Sequence, residues 1–165
     1  MSKTLVVYGS STGTCEGIAN TIAEKLSAEV VNVANLTKEQ AEAADNLILG
    51  TSTWGAGDMQ DDWYDGLDTL KGCDLAGKKI ALFGCGDSAS YSDTFCGGMR
   101  EIYDGLQDKG ATFIGAVSTD GYTFDDSASV EDGKFIGLAL DEDNESDKTE
   151  DRINAWIEQI KPELA

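Results

Sequence analysis

The sequence predicts an α/β fold: a doubly wound, five-stranded parallel sheet with helices on both faces. Three observations lead there. Short apolar runs alternate along the chain with segments whose apolar residues recur at helical spacing. The short runs are apolar throughout, as strands buried on both faces are, instead of alternating with polar residues. The only proline, Pro162, stands near the C-terminus, so nothing in the body of the chain carries a proline break.

Taken in order, Leu5-Val6-Val7-Tyr8 reads as the first strand. Ile18, Ile22 and Leu26 follow at i, i+4 and i+8, one face of a helix. Val30-Val31-Asn32-Val33 is the second strand, and Thr37 with Gln40 has the spacing of a capping box that opens a short helix. Leu47-Ile48-Leu49 is the third strand; Trp63, Leu67 and Leu70 then recur at helical spacing. Ile80-Ala81-Leu82-Phe83 is the fourth. Phe95, Met99, Ile102, Tyr103 and Leu106 form the longest amphipathic stripe, with Gly110 placed to cap it. Phe113-Ile114-Gly115-Ala116-Val117 is the fifth strand, and Ile153, Trp156, Ile157 and Ile160 mark a final helix.

One segment breaks this rhythm. The 17 residues Ser118 to Lys134 are polar or turn-rich, and then Phe135-Ile136-Gly137-Leu138-Ala139-Leu140 reads as strand again. No helix-length apolar stripe lies between, so two half-strands flanking an insertion are expected instead of a sixth crossover. No repeat or linker divides residues 1–165, which are read as a single domain.

Composition limits the partners. The 165 residues carry 31 Asp and Glu against 12 Lys and Arg, a net charge of −19. Such a chain repels nucleic-acid phosphate and anionic lipid. With 41% hydrophobic residues it is too apolar for a disordered acidic tail. The absence of His removes Ser-His and Cys-His catalysis and His-ligated metal, and no metal site is expected. Cys15, Cys73, Cys85 and Cys96 show no CxxC pair, and the N-terminus has no signal-peptide apolar core. No apolar run approaches membrane-spanning length. A reducing cytoplasm is the simplest reading, although spacing alone leaves cysteine pairing open.

In parallel α/β sheets ligands bind beyond the carboxyl ends of strands. Three such loops stand out. Gly9-Ser10-Ser11-Thr12-Gly13-Thr14-Cys15 packs hydroxyls and glycines at a helix N-terminus, where free N–H groups favour an anion. It is neither a Walker loop nor GxGxxG. Taken alone it serves equally as a capping turn. Gly50-Thr51-Ser52-Thr53-Trp54-Gly55-Ala56-Gly57-Asp58 sets a Trp among small residues, and Gly84 to Cys96 does the same with Tyr91. A lone aromatic is more often simply half-buried. Two of them beside an anion nest describe a site for a flat ring carrying a phosphate.

With those residues in view, the chain resembles the flavodoxin family, specifically its long-chain group, over nearly its full length. The likeness is carried by Ser10 to Cys15, Thr51-Ser52-Thr53-Trp54-Gly55, Gly86-Asp87 with Tyr91 and Phe95, and Gly137-Leu138-Ala139-Leu140-Asp141-Glu142-Asp143-Asn144. The resemblance implies the family's known strand order, 2-1-3-4-5, with FMN at the switch between strands one and three. It also matches Ser118 to Lys134 to the segment that splits strand five in the long-chain group. Ser10, Ser11, Thr12, Gly13, Thr14 and Cys15 would then surround the FMN phosphate, and Trp54 and Tyr91 would sandwich the isoalloxazine ring. Backbone groups of Gly55, Cys85, Gly86 and Asp87 would meet the ring edge; Ser52, Thr53 and Asp143 would lie near the ribityl chain. Thr51, Ala56, Gly57, Thr94, Phe95 and Cys96 complete the cofactor-binding set. One position departs from the family's pattern: Cys15 stands where the loop usually ends in Thr, and a thiol donates more weakly to phosphate. A reactive thiol is the rival role for Cys15, favoured by the helix terminus and opposed by a bound dianion.

The resemblance further implies a low-potential one-electron carrier that is not an enzyme. Gly55-Ala56 would be a peptide that reorients when the ring takes up one electron. Its partners would be basic redox proteins, such as a flavodoxin or ferredoxin reductase and iron–sulfur oxidoreductases, met by a monomer. Residues 9–24, 51–70 and 84–99 hold no Lys or Arg, so neutral donors must hold the phosphate. Segments 58–68 and 141–151 together carry −11 of the −19. One charge about 10 Å from the ring is worth roughly 0.4–1.7 kcal/mol, about 20–70 mV for one electron. Whether this charge tunes the potential or only keeps the protein soluble is even on sequence grounds. The rival function is an FMN-dependent NAD(P)H:quinone reductase of related fold, for which no basic cluster near the loops would hold nicotinamide-cofactor phosphates. A phospho-receiver module would need acids after strand one, where Gly9-Ser10 stands.

Overall fold

Alternate residues of each central strand feed two separate cores. In the computed structural model, which describes residues 4–9, 14–54, 58–59, 62–73, 75–85, 98–106, 110–118, 130–131, 134–140 and 142–163, strand β1 (Thr4–Gly9) sends Leu5 and Val7 into one core and Val6 and Tyr8 into the other. After it come helix α1 (Thr14–Leu26), β2 (Glu29–Asn32), a 3-10 turn (Val33–Asn35), α2 (Lys38–Ala43) and β3 (Asn46–Trp54). Then follow β4 (Asp58–Met59), α3 (Asp62–Lys71), β5 (Lys79–Cys85), α4 (Gly98–Leu106) and β6 (Thr112–Ile114). The last elements are β7 (Val117–Ser118), β8 (Val130–Glu131), β9 (Lys134–Phe135), β10 (Leu138–Leu140) and α5 (Glu142–Ile160).

Leu47 and Leu49 of β3 and Ile80 and Leu82 of β5 share the first core with α2, α3 and α4, through Ala41, Trp63, Leu67, Leu70, Met99, Ile102 and Leu106. Ile48, Ala81 and Phe83 share the second with α1 and α5, through Ile18, Ile22, Ile153, Trp156 and Ile160. The period of two along strands thus sorts the helices, three to one face and two to the other. Thr37 and Gln40 close the expected capping box: the Gln40 N–H donates to Thr37 Oγ1 at 3.2 Å, and the Thr37 N–H to Gln40 Oε1 at 3.1 Å. Cys73, at the end of α3, is a buried thiol whose Sγ donates to the Thr69 carbonyl at 3.2 Å.

The main sheet runs β10-β5-β3-β1-β2, all parallel, which is the order 2-1-3-4-5 counted by full strand positions. The fifth position is filled twice. β6 pairs with the start of β5 (Ile80 opposite Phe113) and β10 with its end (Phe83 opposite Leu138). Between them β7, β9 and β8 form a small antiparallel sheet. The split strand is therefore present, with breaks that the apolar runs do not show. The first break is Gly115, at φ +87, and the second is Ile136-Gly137. A Cβ on Gly137 would lie 2.2 Å from the Leu82 carbonyl oxygen, so only glycine fits that approach. Smaller differences are that Val33 leaves the second strand for the 3-10 turn, and that the described part of α4 starts at Gly98, with Phe95 outside the described residues. Gly110 has the left-handed φ of +79 expected of a cap.

Candidate functional site

The carboxyl ends of four adjacent strands finish at one edge of the sheet. Gly9 of β1 lies opposite Thr51 of β3, and Thr51 and Ser52 lie opposite Gly84 and Cys85 of β5. Leu140 of β10 lies opposite Cys85 on the other side. Strand order reverses here: the chain passes from β1 outward to β2, then returns across β1 to β3 and continues to β5. α1 packs on one face and α3 on the other, so the chain departs to opposite faces at the β1–β3 boundary, the place where ligands bind in sheets of this kind. α1 begins at Thr14, five residues after β1 ends, so its first-turn N–H groups point toward this edge. Hydroxyls, glycines and helix amides with no cation form a donor set suited to a phosphate held by neutral groups.

The singled-out residues divide into those the structure describes and those it does not. Thr51 is fully buried within β3, at the last residue that pairs with β1. Ser52, Thr53 and Trp54 continue β3, and Thr53 and Trp54 pair with Met59 and Asp58 in an antiparallel hairpin. The sequence reads this stretch as a loop; its Thr and Trp residues suit a strand, and β4 supplies the partner. Cys85 ends β5, Thr14 and Cys15 open α1, and Asp143 lies in the first turn of α5. Ser10, Ser11, Thr12, Gly13, Gly55, Ala56, Gly57, Gly86, Asp87, Tyr91, Thr94, Phe95 and Cys96 lie outside the described residues. Among the described residues no three His, Cys, Asp or Glu side chains gather to hold a metal. No described helix is long and apolar enough to cross a membrane.

The sequence profile of the Flavodoxin family matches residues 6–156. The chain belongs to the flavodoxin family. It is 45% identical to the flavodoxin of Helicobacter pylori over the whole of both chains. It is 42% identical to flavodoxin 1 of Escherichia coli K12, covering 99% of this chain and 96% of that one. The fold superposes on the crystal structure of Fusobacterium nucleatum flavodoxin bound to flavin mononucleotide with a TM-score of 0.94, at 39% identity and full coverage of both chains. The resemblance to the flavodoxin family and the strand order 2-1-3-4-5 both stand.

Within this flavodoxin fold, several residues that shape the crevice carry no motif. Trp63 of α3 is fully buried and donates its indole N–H to the Gly50 carbonyl at 2.6 Å, which ties α3 to β3 one residue before Thr51. Sequence periodicity marks Trp63 only as core. Gly50 in turn leaves the room that the Phe83 ring fills, since a Cβ there would meet the ring at 2.0 Å. Tyr8, the residue before Gly9, is buried, and its phenol is pushed above the usual range. Burial is the main cause; the Glu16 charge and a hydrogen bond to Glu16 add to it, and a hydrogen bond from Asn32 opposes it. A tyrosine that ends an apolar strand reads as core, and only the neighbours reveal its polar end.

Proposed function

We infer that the protein is an electron carrier that binds FMN non-covalently and passes electrons between redox proteins. The observation that carries this is the register of β1, β3 and β5, whose carboxyl ends finish side by side where strand order reverses. The segments at and after these ends contain the family's phosphate-loop residues, Trp54, which closes β3, and Tyr91. Ser10, Ser11, Thr12, Gly13, Thr14 and Cys15 hold the phosphate through hydroxyls and the amides of α1, with Cys15 contributing mainly its N–H. Trp54 and Tyr91 cover the two ring faces and keep water from them; Gly55, Ala56, Gly57, Cys85, Gly86 and Asp87 line the ring edge. Thr51, Ser52, Thr53, Thr94, Phe95, Cys96 and Asp143 complete the cradle. FMN supplies the one-electron chemistry when bound, and the protein supplies position and field.

The finer reading follows from charge. Acidic segments 58–68 and 141–151 flank the crevice loops in sequence, and no base lies in the loops themselves. That field opposes added electrons, which sets a low potential, and it steers basic partners such as a flavodoxin or ferredoxin reductase or an iron–sulfur oxidoreductase. The protein works as a single-domain, long-chain, cytoplasmic monomer. Absorption spectra during stepwise reduction test the proposal. A yellow protein that passes through a distinct one-electron-reduced form supports it; a colourless protein that refuses FMN overturns it. Turnover of NAD(P)H without an added reductase would favour the quinone-reductase alternative.

A further inference from the structure

A pocket of about 170 Å³ lies where the fifth strand position breaks. It is lined by Tyr103 of α4, Phe113 and Ile114 of β6, Lys134 and Phe135 of β9, and Ile136. The split makes it. After Ile114 the chain turns at Gly115, and β9 returns as the middle strand of the small antiparallel sheet. β6 and β9 belong to different sheets, so no strand pairing closes the space between them. The walls are fixed. Phe135 and Ile136 are buried. The Tyr103 and Phe113 rings are tilted by 54°, with centroids 4.7 Å apart. The Arg100 guanidinium lies 5.3 Å from the Tyr103 ring centre, and its Nε–H donates to Asp104 at 2.9 Å. These contacts hold the Tyr103 ring in place as a wall.

Size and lining select the ligand. An apolar cavity of about 150 Å³ holds one benzene ring. This pocket therefore takes one six-membered ring and little more. Aromatic walls favour a flat ring through edge and face contacts. Among the described residues Lys134 is the only charged one that lines the pocket, and it is exposed. Its flexible stem lets the ammonium swing over the mouth. An ammonium donates and never accepts, so it pairs most strongly with a carboxylate. Arg100 adds no charge to the mouth, because Asp104 balances it. We propose that this pocket binds a small aromatic acid, with its ring among Tyr103, Phe113 and Phe135 and its carboxylate on Lys134. The site is separate from the strand ends that face the flavin. Ile114 lies opposite Ala81 of β5, about 13 Å along the strand from Cys85. The proposal therefore does not rest on the FMN reading.

Benzoate is the probe, and benzamide is its uncharged match of equal size. Each is titrated into the isotopically labelled protein as purified, and amide NMR shifts are read at every addition. Benzoate should shift the amides of Phe113, Ile114, Phe135 and Ile136 saturably, with a dissociation constant near about 1 mM. Benzamide should bind about threefold to tenfold more weakly. The net charge of −19 repels benzoate from the surface at large, so a preference for it must come from a local cation. Lys134→Gln, an exposed change that leaves the walls intact, should erase the preference, and Lys134→Arg should keep it. The amide spectra report at the same time that each variant is folded. No saturation by about 20 mM benzoate overturns the proposal. So do shifts that map elsewhere, equal affinity for the two probes, or a preference that survives Lys134→Gln.

Discussion

Trp156→Phe should destabilise the protein through a single lost donor. Trp156 of α5 is 1% exposed, and its indole N–H donates to the carbonyl of Gly115 at 2.8 Å. That carbonyl belongs to the residue at φ +87 where β6 ends and the chain turns toward the inserted strands. Phenylalanine leaves the buried carbonyl without this partner, at about 1–3 kcal/mol. It also gives up about 40 Å² of aromatic surface, worth about 1 kcal/mol. The total is about 2–4 kcal/mol. Urea denaturation of the FMN-free protein, followed by far-ultraviolet circular dichroism, should show the midpoint falling by about 1–2 M at an unchanged slope of about 2 kcal/mol/M. Gln159 supplies the control: its exposed side chain donates to the next carbonyl, Ala116, at 2.6 Å. Gln159→Ala should cost under about 1 kcal/mol, because water replaces an exposed donor. If Trp156→Phe matched the parent within about 0.5 kcal/mol, the bond would not be what fastens the split strand to α5.

Other outcomes follow from the same structure and from the proposed site. Gly55→Val should make the reorientation of the 55–56 peptide harder by about 1–2 kcal/mol, moving the first reduction step by about 40–90 mV and lowering the maximal yield of one-electron-reduced flavin in a redox titration. Raising the ionic strength should slow reduction by a basic partner by about tenfold in stopped-flow measurements; rates independent of salt would refute electrostatic steering. The folded Tyr8 phenol ionises above its ordinary pKa of 10.0, so on unfolding this proton is released at lower pH than from the native state. Its contribution to stability is whole below pH 10 and is lost as pH climbs through the folded value. Thermal melts from pH 9 to 11 should therefore fall less steeply for Tyr8→Phe than for the parent.

Much of the candidate site was legible because its signals are local. Hydroxyls and glycines between an apolar strand and a helix, a Trp and a Tyr in small-residue loops, and long runs free of Lys and Arg are all properties of contiguous sequence. The Tyr8, Glu16 and Asn32 side chains were not legible as a unit, since what joins them is the pairing of β1 with β2 and the packing of α1 on both. Trp63 was legible as a buried helix residue but not as the donor to Gly50, for the same reason.

The sequence by itself determined the alternation of strands and helices, their approximate bounds, the α2 capping box and the strand ends that bear chemistry, because periodicity and capping act over a few residues. Tertiary structure alone decided the register that aligns Gly9, Thr51 and Gly84, the hairpin that takes Trp54 into β3, and the two breaks in the fifth strand position. At Gly137 the deciding contact is the Leu82 carbonyl, and at Gly115 it is the Trp156 indole, more than 40 residues further along the chain. Contacts between residues so distant depend on packing that no short window of sequence contains.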